Sequence, residues 1–97
     1  MYTNPQKRDS DAQELRREAG QWLKERREAI GLSQRQVAEK VGAEYYTFIS
    51  QLETGRGRIP PARYVDWANA LEIEPREFVY KLMRYYDPIT FSILFDE

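Results

Sequence analysis

Cysteine and histidine are both missing from the 97 residues. Disulfides, zinc sites with Cys or His ligands, and every Cys/His or Ser/His nucleophile arrangement are thereby excluded. No stretch approaches ~18 consecutive apolar residues and the segment from Met1 to Asp11 is polar, so neither a membrane span nor an export signal is indicated. Internal repeats and low-complexity tracts are lacking too. No Gly-rich phosphate loop of the G-x-x-x-x-G-K kind occurs; Gly55-Arg56-Gly57 reads as a helix stop. No spacing gathers a nucleophile, a base and an oxyanion donor. The expectation is a chain that is not an enzyme, with no metal site and no cofactor.

What is present suits one small domain. Apolar residues make up 41% and aromatic ones 13%, enough for a single core, while 32% charged residues keep the surface wet. Cysteine usage is compatible with the cytosol. The net charge of −1 hides an asymmetry: residues 1–32 carry seven basic and six acidic side chains (+1), residues 33–63 five and three (+2), and residues 64–97 three and seven (−4). A mildly basic middle beside an acidic end is weak support for a one-sided electrostatic footprint.

The apolar spacing is helical throughout most of the chain. Ser10 with Gln13, or Asp11 with Glu14, fits a capping box that opens a first helix, with Leu15, Ala19, Trp22, Leu23 and Ile30 along one face and Gly31 as its end. Ser33 with Gln36 repeats the capping pair for a second helix whose inward residues are Val37, Ala38 and Val41, closed at Gly42. A third helix is expected from about Glu44 to Thr54 with Ile49 and Leu52 inward, stopped by Gly55. Pro61 and Pro75 suit first helical positions. They open a fourth helix burying Tyr64, Val65, Ala68 and Leu71, and a fifth burying Phe78, Val79 and Leu82. Helical spacing likewise assigns Trp22, Trp67, Tyr80, Tyr85 and Tyr86 to core or dimer packing rather than to stacking platforms for single-stranded bases.

Two short helices joined at a glycine turn, between a longer leading helix and two trailing ones, have the layout of a helix-turn-helix domain. The run Leu32-Ser33-Gln34-Arg35-Gln36-Val37-Ala38-Glu39-Lys40-Val41-Gly42, followed by Ile49-Ser50-Gln51-Leu52-Glu53-Thr54-Gly55, resembles the Cro/C1-type repressors, the XRE family. The resemblance covers about Leu23 to Leu82. It implies an all-α, five-helix, lambda-repressor-like fold, with the third helix presented to DNA. Gly42 and Gly55 stand one residue further apart than the family commonly places them, and the extra residue is assigned to 43–46.

Helical steps of 100° from an inward Ile49 and Leu52 turn Thr47, Ser50, Gln51 and Thr54 outward, Tyr45 inward and Tyr46 to the flank. Short polar side chains can enter a major groove about 12 Å wide, where Gln pairs with adenine and the Thr methyl meets that of thymine. The family's base-reading positions, counted from Ile49, fall on Tyr46, Thr47 and Gln51. For phosphate the resemblance implies Gln34, at a helix start where backbone N–H groups also favour an anion. Arg56 and Arg58 follow the recognition helix in a Gly-flanked loop and carry the planar fork that phosphate accepts; Arg35 and Ser50 complete the phosphate set.

The family does not account for the chain end. Ile89, Phe91, Ile93 and Phe95 alternate with Thr90, Ser92 and Leu94 as in a strand, whereas Asp87-Pro88 suits the start of a short helix. Either form needs cover. The expectation is a homodimer built on Tyr85, Tyr86, Ile89, Phe91, Ile93, Leu94 and Phe95, spacing two recognition helices about 34 Å apart on palindromic DNA. The organisation is then a flexible arm (1–11), a helix-turn-helix domain (12–84) and a dimerisation or docking segment (85–97). This reads as a cytoplasmic, nucleoid-associated regulator of transcription that binds double-stranded DNA, acts as a repressor, and has room for a protein partner of the transcription machinery but none for a sensing domain. The competing reading is a protein-interaction adaptor of the coactivator or antitoxin kind, favoured by the acidic C-terminal third.

Overall fold

The Ser33–Gln36 pair closes as its spacing requires. Ser33 Oγ accepts the Gln36 N–H at 3.0 Å and Gln36 Oε1 accepts the Ser33 N–H at 2.8 Å, which satisfies two otherwise orphan donors. The computed structural model describes the backbone of residues 5–95 and the side chains of residues 11–95. Its elements are α1 (Pro5–Ala29), α2 (Gln34–Val41), α3 (Thr47–Glu53), a single 3₁₀ turn (Pro61–Arg63), α4 (Tyr64–Ala70), α5 (Pro75–Tyr86) and α6 (Pro88–Phe95). Among the described residues the fold is entirely helical, and no helix is long and apolar enough to cross a membrane.

Several boundaries differ from the sequence reading. α1 begins at Pro5 rather than at Ser10 or Asp11, so the arm expected over 1–11 is helical from Pro5, and residues 1–4 lie outside the described residues. α3 begins at Thr47 rather than Glu44. The segment 43–46, to which the extra residue is assigned, lies outside both helices of the motif. Pro61 opens a 3₁₀ turn rather than α4 itself, and along α4 Tyr64, Trp67, Ala68 and Leu71 share the inward face while Val65, expected inward, is exposed.

Among the described residues there are six α-helices, the five expected and α6, so of the two forms open for the chain end it takes the short helix. Asp87 Oδ1 accepts the Thr90 N–H at 3.2 Å, an N-terminal cap that pulls the Asp87 carboxyl below its ordinary range through hydrogen bonds to Thr90. Phe91 and Phe95, four residues apart, share the face that meets Tyr80, with ring centroids at 5.0 Å in both pairs. The alternation along 89–95 looked strand-like because this helix is apolar nearly all round.

The core lies where α1 crosses α3 and α5. Leu23, Val37, Ile49, Leu52, Ile59, Trp67, Phe78 and Leu82 are fully buried there. Burial of side chains of this size contributes roughly 1.5–3 kcal/mol each. Trp22 packs on Phe78 and Tyr85 at centroid distances of 5.6 and 6.2 Å. Trp67 is a core residue, and Trp22 is half-buried against the core.

Candidate nucleic-acid interface

α3 has seven residues, too short to be stable alone. Ile49 and Leu52 anchor it in the core. At its end Gly55 adopts φ +81, and the N–H groups of Gly55 and Arg56 return to the carbonyls of Leu52 and Gln51 at 3.2 and 2.9 Å, the Schellman arrangement that a left-handed residue permits. The Thr54 hydroxyl also donates to the Ser50 and Gln51 carbonyls.

α1 lies directly against this end. A Cβ on Gly20 would stand 2.5 Å from the Leu52 carbonyl oxygen, and one on Gly55 would stand 2.9 Å from the Arg17 Cα; only glycine allows so close a crossing. Beside it, Arg27 Nε donates to Glu53 Oε2 at 2.6 Å and Nη2 to Oε1 at 3.1 Å, while Nη1 reaches the Leu32 carbonyl at 2.8 Å. The Glu53 side chain is only 4% exposed. Its hydrogen bond raises the Arg27 pKa beyond the ordinary value, against the opposing effect of burial. Gln34 Nε2 donates to the same Glu53 Oε1 at 3.0 Å, so one carboxylate ties α1, α2 and α3 together. The Gly20 crossing and the Arg27–Glu53 pair escaped the sequence reading; a glycine inside a long helical pattern was the available signal.

With α3 so held, Thr47, Gln51 and Thr54 are exposed and Ser50 is half-buried. Tyr45, expected inward, is 65% exposed; helical steps do not extend to a residue in the turn before the helix. Tyr46 is exposed, and the Arg35 guanidinium lies 5.1 Å over its ring, which brings two of the proposed DNA-contacting residues together by a cation–π contact. Gln34 and Ser50 line a cleft of about 540 Å³ between α1 and α3, with Arg17 and Lys24 on its α1 wall. Arg56 is exposed in the loop after α3.

Arg58 is exposed in the same loop, its guanidinium 4.7 Å over the Tyr86 ring and beside the groove between α1 and the start of α6. Three dimer-segment residues also turn inward: Tyr86 and Phe91 are buried within their own chain and Tyr85 is half-buried against Trp22. Ile89, Ile93, Leu94 and Phe95 stay exposed. No group of acidic residues able to hold a metal ion is found among the described residues.

A family model for the helix-turn-helix matches residues 23–78. The crystal structure of the restriction-modification controller protein C.AhdI from Aeromonas hydrophila is similar at 35% identity and a TM-score of 0.58, over 67% of this chain and 96% of that one. A comparison with curated proteins finds no match. The motif, the all-helical frame and the family match agree: the chain belongs to the Cro/C1-type (XRE) helix-turn-helix family of DNA-binding regulators.

Proposed function

We propose that the protein is a sequence-specific transcriptional regulator that binds double-stranded DNA as a homodimer and represses by occupying a palindromic operator. The observation carrying this reading is the exposed pair Thr47 and Gln51, one turn apart on a helix anchored by Ile49 and Leu52. In this reading Tyr46, Thr47 and Gln51 meet base edges, and Gln34, Arg35, Ser50, Arg56 and Arg58 meet phosphates. The exposed side chains of α6, Ile93 at 76% and Ile89 at 74%, form the two-fold contact. Similarity to a restriction-modification controller protein supports a regulator of this kind. Repression is the sign proposed because steric occupancy of a promoter requires nothing further.

The adaptor reading is favoured by one observation, the same exposed apolar face on α6, which a partner protein could cover. Titrating duplex affinity against salt separates the two. The regulator loses affinity linearly in log salt with a slope near 0.9 per neutralised phosphate. Absence of duplex binding even at low salt would transfer the assignment to the adaptor.

A further inference from the structure

The recognition face carries an aromatic side chain that the core leaves partly uncovered. Phe48 is 37% exposed, whereas Phe78 in α5 is fully buried. Phe48 lies outside the buried cluster and its packed neighbours, and among the described residues no other ring stacks on it. Its position on α3 follows from geometry: three residues before Gln51 and one after Thr47, it flanks Gln51 on the helix surface. Thr47, Phe48 and Gln51 together line the mouth of a groove of about 550 Å³, with Tyr45 and Arg63 further along its wall.

Keeping an apolar ring in water is unfavourable in proportion to its area. At the edge of a DNA-reading face, one chemical group suits it. The major groove offers donors and acceptors at every base pair, but a single apolar feature, the C5-methyl of thymine. With Gln51 able to pair with an adenine, base pairs spaced ~3.4 Å along the axis bring a neighbouring thymine methyl level with the flanking residue.

We propose that Phe48 is a further specificity-determining residue, which covers the C5-methyl group of a thymine next to the base pair read by Gln51. The assignment rests on the regulator reading above and adds a base-reading residue to it. Burial of one methyl group corresponds to roughly 0.8 kcal/mol, or about a fourfold change in affinity.

The test uses the intact protein and a duplex that it selects from a randomised pool, with copies in which uracil replaces thymine at one position at a time. Uracil removes only the methyl group. The wild type is expected to lose about fourfold at one thymine in each half-site, and Phe48→Ala to bind the thymine and uracil duplexes equally while keeping its helical circular dichroism. Phe48→Leu, which retains an apolar contact, should keep most of the preference. Two results would overturn the proposal: a wild type indifferent to every methyl group, or a preference that survives in Phe48→Ala and so belongs to Thr47. A Phe48→Ala variant that changes oligomeric mass and leaves the methyl preference intact would assign this face to protein contact instead. Failure of the wild type to select any duplex defeats the regulator reading itself, an outcome distinct from all of these.

Discussion

The Tyr86 hydroxyl accepts the buried backbone N–H of Ile59 at 3.1 Å, fastening the end of α5 to the loop that leaves the recognition helix. The Arg58 guanidinium lies 4.7 Å over the same ring. The loop carrying Arg56 is therefore held at Ile59 by the hydrogen bond and at Arg58 by the cation–π contact.

Removing that hydroxyl tests the fastening. Tyr86→Phe leaves the Ile59 N–H without its acceptor and should cost about 1–3 kcal/mol in urea unfolding. Burial raises the Tyr86 pKa above the ordinary value near 10, outweighing the hydrogen bond from Ile59, and burial also raises that of Tyr64. A raised folded-state pKa means the contribution is intact below the unfolded value and is lost as pH climbs through the folded one. Stability should therefore fall above pH 10, less steeply in Tyr86→Phe. Ultraviolet titration should show the phenolates of Tyr64 and Tyr86 forming above that pH.

The ion pair under the recognition helix should be strongly asymmetric to substitution. Arg27→Ala leaves the Glu53 carboxylate buried with only Gln34 beside it, a cost of about 3–5 kcal/mol by urea unfolding. The double change Arg27→Met with Glu53→Leu removes both charges and should restore much of that loss. A double variant as unstable as Arg27→Ala would mean that the links from Gln34 and to the Leu32 carbonyl matter more than the paired charges.

Base and phosphate contacts should separate by their specificity. Gln51→Ala is expected to cost about 1–3 kcal/mol on the selected duplex and little on random DNA. Arg56→Ala should weaken both alike and reduce the salt slope by about one. Fluorescence anisotropy on the two duplexes at several salt concentrations measures both effects; equal losses for Gln51→Ala would remove it from base reading.

The exposed side of α6 carries the assembly expectation. Ile93→Asp changes a residue that is 76% exposed and should leave the fold intact. The mass by sedimentation should drop from twice 11.6 kDa to that of a single chain, with a matching loss of affinity for the two-half-site duplex. Phe91→Asp should instead unfold or strip α6, because Phe91 is buried against Tyr80.

Much of this architecture was legible before any coordinates. The Ser33–Gln36 box, the stop at Gly55 and the inward Ile49 and Leu52 depend on neighbours within a few residues, and each appears where spacing placed it. Val65 stands about 100° round α4 from Tyr64, off the face that Tyr64, Trp67, Ala68 and Leu71 share, and Tyr45 lies in the turn before α3, where helical steps do not apply.

Local chemistry, then, was enough to specify which segments are helical, the Ser33–Gln36 cap and the outward pair Thr47 and Gln51, since these depend on interactions between residues three or four apart. Pairings across long stretches of chain belonged to the packed molecule: Arg27 with Glu53, Gly20 against α3, Arg58 over Tyr86. Their partners are 26 or more residues apart, and no periodicity along the chain encodes which distant surfaces meet. The same holds for the tail, where an almost wholly apolar segment carried no facial pattern until contact with Tyr80 selected Phe91 and Phe95 and left Ile89 and Ile93 exposed.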